Sequence, residues 1–379
     1  VTDFRTRAVR AGINADAAYG DVVAPISVSA AYRRVDPGAP GAFDYGRTGQ
    51  PGRALLAEAI ADLEGAAAAV IVSSGMAAID LVLNDLPNGA RIVCVHDCYG
   101  GTRRLMDARA MQRGFDLVYA DCSDPAALEA ALAPGADLLF LETPSNPRLR
   151  ITDLDHACAA GRVAGAVVAV DNTVLTPALQ RPLEHGADLS VSSVTKMLNG
   201  HSDMIGGAVA CADIERAERL AWWANAAGAC AGGFDVFLAL RGLRTLPLRA
   251  KAQSESALAV AEALRAHAAV TRVDYPGLAD HPGHAIAKRQ QSGFGPLLSF
   301  ELTGGVQAAR GCVTRLTLFT LAQSLGGVES LAAIPATMTH AAMTPEARRE
   351  AGVGDGLVRL SVGLEAPEDL INDLKTALI

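Results

Sequence analysis

The chain has 379 residues, 50% of them hydrophobic and 4% aromatic, which is enough to bury a substantial core in two domains. A formal net charge of -8 without any basic block excludes nucleic acid and anionic membrane surfaces as expected partners. No apolar run reaches membrane-spanning length, Val1 to Ala30 lacks a secretory core, and seven cysteines without CxxC pairs read as reduced thiols in a cytoplasm.

Residues 1–46 are rich in Gly, Pro and Ala without a strong period, and are expected to form an arm on a neighbouring subunit. From residue 47 to 247, apolar runs alternate with Ala/Leu-rich stretches of helical spacing. That alternation predicts an α/β domain with a mostly parallel seven-stranded sheet covered by helices. The predicted strands are 70–74, 91–95, 117–120, 138–142, 167–171, 189–193 and 205–211. The predicted helices between them are 76–86, 103–112, 125–132 and 154–163. At about residue 248 the pattern changes to a long helix over 250–267 and then to shorter elements. Residues 248–379 are therefore assigned to a smaller α+β domain.

Lys196 stands out chemically. It is one of four lysines, with Lys251, Lys288 and Lys375, against a combined Lys+Arg count of 33. A chain that otherwise uses arginine and keeps lysine beside two hydroxyls needs an amine that can lose its proton and attack a carbonyl. A solvated surface lysine is the bland alternative, and the flanks oppose it. Lys196 follows a buried apolar run, precedes Gly200, Gly206 and Gly207, and lies where open α/β sheets bind ligands. Ser193 and Thr195, on alternate residues, can turn both hydroxyls toward one phosphate. A Schiff-base lysine next to a phosphate site points to pyridoxal 5′-phosphate (PLP).

The other parts of such a site can be sought at strand ends. Asp171 ends a buried run, where a carboxylate can hold a pyridine nitrogen protonated; alone it would read as a strand-ending cap. Ser74-Gly75-Met76 opens a helix, whose amides suit an anion. Tyr99 opens the next helix and offers a ring to stack on a flat cofactor, although a lone tyrosine is more often core filler. His281 and His284, split by Pro282 and Gly283, have no accompanying cluster, and no metal site is expected. His201 and His340 read as hydrogen-bonding structural residues.

Ser74-Gly75-Met76, Tyr99-Gly100-Gly101-Thr102, Glu142-Thr143-Pro144-Ser145-Asn146-Pro147, Val170-Asp171-Asn172-Thr173, Ser193-Val194-Thr195-Lys196, Ser324-Leu325-Gly326-Gly327 and Met338-Thr339-His340-Ala341 occur in this order. From about Thr6 to Leu378 the chain resembles the Cys/Met-metabolism branch of the fold-type I PLP enzymes, most closely its γ-replacing synthases. The resemblance implies the PLP-dependent transferase fold, with Lys196 carrying the cofactor, Asp171 on the ring nitrogen and Tyr99 stacked on the ring. It assigns the phosphate to Gly75, Met76, Ser193 and Thr195, with Tyr45 and Arg47 reaching over from another subunit of a dimer or a dimer of dimers. Asn146 and Thr173 are second contacts to the ring. Arg359, with Ser324 beside it, clamps the substrate α-carboxylate. Tyr99 is also a candidate to deprotonate the incoming amine.

The implied reaction is γ-replacement on an O-acylhomoserine, succinyl or acetyl, by cysteine or another thiol. The alternatives are a γ-lyase releasing a 2-oxo acid and ammonia, and a PLP-binding regulator without turnover. The retained Lys196, Asp171, Tyr99 and Arg359 weigh against the regulator. The chain departs from the family pattern at Gly46, Thr48 and Gln50, and at Gln323, where γ-synthases and many γ-lyases carry Glu. Arg104 is the substitute expected for the entrance arginine that Thr48 replaces.

Overall fold

In a computed structural model, which describes residues 2–39, 41–341 and 343–378, the first sheet contains seven strands. They are β1 (Ala68–Val72), β2 (Arg91–Val95), β3 (Asp116–Ala120), β4 (Leu138–Glu142), β5 (Val167–Asp171), β6 (Leu189–Ser193) and β7 (Gly207–Cys211). Their order across the sheet is β1-β7-β6-β5-β4-β2-β3. Strands β2 to β6 pair in parallel, and β7 runs antiparallel to both β1 and β6. β4 reads Leu-Leu-Phe-Leu-Glu and β5 Val-Val-Ala-Val-Asp, the near-continuous apolar runs of strands covered on both faces. Each ends on a carboxylate, so the parallel strands deliver Glu142, Asp171 and Ser193 to one edge of the sheet.

Helices Gly75–Asn84, Gly100–Arg113, Pro125–Leu132 and Leu154–Val163 connect these strands. Ser74, Asp124 and Asp153 cap three of them, each side chain accepting a backbone N–H of the first turn. β1 spans 68–72, earlier than the predicted 70–74, because Ser74 is used as a cap. β7 begins at Gly207, since the backbone of Gly206 bonds to Thr195 and not to the ladder.

Helices Phe4–Arg10, Pro51–Glu64, Ile214–Ala227 and Gly233–Leu243 go beyond the sequence expectations. Pro51–Glu64 is well signalled in hindsight: Oε1 of Gln50 accepts the Arg53 amide at 2.7 Å, and Gly65 closes it at a φ of 71°. Its Leu56, Ile60 and Leu63 are buried, each contributing about 1.5–3 kcal/mol.

A second sheet holds β8 (Val270–Asp274), β9 (Leu297–Leu302), β10 (Thr320–Leu321), β11 (Leu331–Ala333) and β12 (Leu357–Ser361), in the order β10-β11-β12-β9-β8. β12 lies at its centre, every residue buried. Helix Leu246–Arg265 serves two cores: Leu246 and Ala250 pack with the first sheet's layer, while Ala257, Val260 and Leu264 pack with β9 and β12. Residue 248, where the sequence pattern changes, is inside this helix. Among the described residues, no helix is long and apolar enough to cross a membrane.

Candidate active site

A cavity of about 270 Å³ opens at the carboxyl edge of β4, β5 and β6, the place where open α/β sheets bind ligands. It brings together Gly75, Met76, Tyr99, Asn146, Asp171 and Thr173 with Ser193, Thr195, Lys196, Ser324 and Arg359. Residues separated by nearly the whole chain thus meet in one pocket.

Lys196 sits on the turn after β6. Its Nζ donates to Oγ of Ser324 at 2.8 Å. Burial, reinforced by the charge of Arg359, pulls its pKa down to about 8. The turn is fixed from behind by Arg249, which is 4% exposed and donates to the carbonyls of Met197 at 2.7 Å and Leu198 at 3.2 Å. A loop amine is thereby held as firmly as one on a helix.

Asp171 accepts the Thr173 amide at 3.0 Å, and Oγ1 of Thr173 accepts the amide of Ser193 at 2.9 Å. Burial raises the Asp171 pKa, against the hydrogen bonds from Thr173. Such a carboxylate is suited to a cationic N–H partner. The Ser74-Gly75-Met76 turn approaches β6 so closely that a Cβ at Gly75 would lie 2.6 Å from Cβ of Ser193. A Cβ at Gly207 would lie 2.1 Å from the Ser74 carbonyl oxygen, so only glycine fits there. The result is a cradle of amides and hydroxyls at a helix N-terminus, although the Thr195 hydroxyl is also engaged with Gly206.

Arg359 projects from β12 and is 2% exposed. Nη1 donates to Oδ1 of Asn146 at 3.0 Å and Nη2 to the Ser324 carbonyl at 2.7 Å. Its Nε has no partner, and burial lowers its pKa to about 10. An anionic, bidentate ligand is the natural complement of that unfilled N–H. Asn146 is turned toward this guanidinium, while His340 bonds the Asn146 carbonyl oxygen at 3.1 Å. Burial and the charge of Arg359 lower the His340 pKa to about 4, so its ring is neutral at pH 7.

Tyr45, Arg47 and Arg104 do not line the cavity of their own chain. Tyr45 is 48% exposed, and Arg47 donates to the Asn225 carbonyl at 2.6 Å. Arg104 is exposed on the Gly100–Arg113 helix. Thr48 bonds Oδ1 of Asn225 at 3.2 Å. Gln323 lines the cavity beside Ser324. One ionisable lining residue has no role in the sequence analysis: Glu142, whose carboxylate accepts backbone amides from two loops. Its position at a strand tip beside Asp171 was the available signal.

The model of the family described as "Cys/Met metabolism PLP-dependent enzyme" matches residues 5–379. The chain is 48% identical to the cystathionine gamma-synthase of Escherichia coli (strain K12) over 371 residues, which is 98% of this chain and 96% of that one. It is 44% identical to the cystathionine beta-lyase of Lactococcus lactis subsp. cremoris (strain MG1363) over 380 residues, covering 100% and 99%. Among solved structures, it superposes on the cystathionine gamma synthase of Xanthomonas oryzae pv. oryzae in complex with aminoacrylate and cysteine. The TM-score is 0.98 with 54% identity, covering 100% of this chain and 98% of that one. With the family pattern running the length of the chain and a lysine, a carboxylate and an arginine converging in one cavity at the carboxyl edge of the larger sheet, the protein belongs to the Cys/Met metabolism PLP-dependent enzymes, fold-type I transferases and C–S lyases acting on small amino acids.

Proposed function

We propose that the protein catalyses γ-replacement on an O-acylhomoserine, succinyl or acetyl, with cysteine or another thiol as acceptor. The observation that carries this reading is the shared anchoring of Lys196 and Arg359 on Ser324. An amino acid whose carboxylate fills the open Nε–H of Arg359 has its Cα beside the Lys196 amine. The relatives named γ-synthase at 48% and 54% identity support the choice of reaction.

In this reading Lys196 holds PLP covalently, Asp171 keeps its ring nitrogen protonated and Tyr99 covers its ring. Gly75, Met76, Ser193 and Thr195 take the phosphate, with Tyr45 and Arg47 supplied by a second copy of the chain in a homo-oligomer. Thr173 steadies Ser193 below the ring, and Asn146 steadies Arg359. Bound PLP supplies an electron sink for carbon acids next to the substrate nitrogen. Lys196 Nζ, half deprotonated near pH 8, would take the proton from Cα, release it, and as a neutral amine again take one from Cβ. The acyl group would leave Cγ as its carboxylate, the thiol would add there with loss of its S–H proton to solvent, and Lys196 would return protons to Cβ and Cα in turn. Tyr99, as its phenolate, would accept the proton of the incoming substrate amine.

A second reading, elimination by a γ-lyase, is favoured by Gln323 in the cavity wall. A carboxylate there would bind the distal ammonium of a cystathionine-like product, and an amide binds it more weakly. The test incubates purified protein with O-succinylhomoserine or O-acetylhomoserine, with and without cysteine, and measures cystathionine and 2-oxobutanoate. Cystathionine formed at the expense of keto acid supports replacement. Keto acid output indifferent to cysteine overturns it in favour of the lyase, and unchanged turnover in Lys196→Ala overturns the assigned chemistry.

A further inference from the structure

We infer that Glu142 is a positioning residue that sets the ring-covering tyrosine and the carboxylate clamp relative to one another. The inference rests on the roles proposed above for Tyr99, Asn146 and Arg359. Glu142 ends β4, is 4% exposed and stands opposite Asp171 in the β4–β5 register. Its two oxygens face different loops. Oε2 accepts the amide of Tyr99 at 2.8 Å, and Oε1 accepts the amide of Asn146 at 2.9 Å.

From Asn146 the chain of contacts continues to both sides of the site. Its Oδ1 receives Arg359, and its carbonyl oxygen bonds Nε2 of His340. The His340 ring in turn meets the Tyr99 ring edge-on, with centroids 6.4 Å apart. Tyr99, Glu142, Asn146 and His340 therefore form a closed loop, with the guanidinium attached at one corner. A side chain with a single acceptor cannot complete this loop. Gln would turn an NH2 group against one of the two backbone N–H donors. Two donors on two oxygens suit a carboxylate with both oxygens free to accept, while burial and the nearby Asp171 charge push the Glu142 pKa up.

The same two loops are joined a second time. Ser145 donates to Oδ2 of Asp97 at 2.5 Å, independently of Glu142. Loss of the Glu142 carboxylate is therefore expected to leave the loops folded while freeing their relative placement. That separates positioning from stability.

The test compares PLP-loaded wild type, Glu142→Gln and Glu142→Asp by titrating each with glycine and with methylamine, following the visible absorption of the bound cofactor. Glycine differs from methylamine by the carboxylate that Arg359 reads. In Glu142→Gln the preference for glycine over methylamine is expected to fall about tenfold, one misplaced charge-assisted contact. Visible circular dichroism of the cofactor is expected to weaken, with PLP content and Tm close to wild type. Glu142→Asp, too short to reach both amides, should fall between the two and decides the question if the Gln variant does not fold. A preference within about twofold of wild type in both variants overturns the inference alone. Wild type that binds no PLP, or does not prefer glycine, overturns the proposed site and the inference with it.

Discussion

Nζ of Lys196 donates to Oγ of Ser324 at 2.8 Å, a bond between residues 128 positions apart. Ser324 adopts a φ of 130°, a backbone region that non-glycine residues rarely occupy, and its carbonyl oxygen simultaneously receives Arg359. One strained residue therefore holds the reactive amine with its hydroxyl and the carboxylate clamp with its backbone.

Replacing Ser324 by Gly should separate these effects. Relief of a strain of about 1–3 kcal/mol is expected to raise Tm by a few degrees. Loss of the Lys196 partner should lower kcat/KM about tenfold. Calorimetry and steady-state kinetics on one preparation read both.

The lowered Lys196 pKa has a direct consequence for cofactor loading. Capture of PLP by apoenzyme requires the neutral amine, so its rate should climb tenfold per pH unit and level off above about pH 8. A lysine at its ordinary value would continue climbing beyond pH 10. Stopped-flow absorbance between pH 6 and 10 locates the bend.

Arg359→Ala removes the guanidinium and leaves Asn146 and the Ser324 carbonyl without their donor. A loss of about 2–4 kcal/mol in kcat/KM is expected, most of it in KM, with PLP content unchanged. An equal loss toward substrates without an α-carboxylate would remove the clamp assignment.

Glu64 is 1% exposed, bonds Ser190 at 3.0 Å through Oε1 and has no partner for Oε2. Burial pushes its pKa up to about 7 from 4.5. Below pH 4.5 the carboxyl is protonated in both the folded and unfolded chain. Between 4.5 and 7 only the unfolded chain ionises, so stability falls by about 3 kcal/mol across that window and then levels off. Glu64→Gln should abolish this decline and exceed wild-type stability at pH 8, measured by urea unfolding at pH 5 and pH 8.

Much of this architecture was legible because parallel strands covered on both faces leave an apolar signature: β2, β4 and β5 have the predicted bounds, as does β6, where leucine and valine alternate with serine. Asp171 was legible for the same reason, as the polar end of such a run, and Lys196 as a rare lysine three residues beyond a predicted strand. Helix Pro51–Glu64 passed unseen despite its Pro, its Gly cap and the 56, 60, 63 spacing, because the Gly- and Pro-rich arm before it masked where periodicity begins. Glu142 was legible only as a carboxylate at a strand tip, and its role was not, since its partners are backbone amides, one of them 43 residues away, and amides carry no residue-specific mark. The link from Asn146 to Arg359 spans 213 residues and depends on where β12 comes to rest, which only packing decides.

Helix Leu246–Arg265, about 30 Å long, is a common axle for the two halves of the molecule. Severing the chain near residue 248 would strip one half of Ala250 and leave the other's long helix without its first turn. Neither fragment keeps a whole interior, so the halves are expected to melt in one transition, with the amine and the guanidinium they carry parting only then.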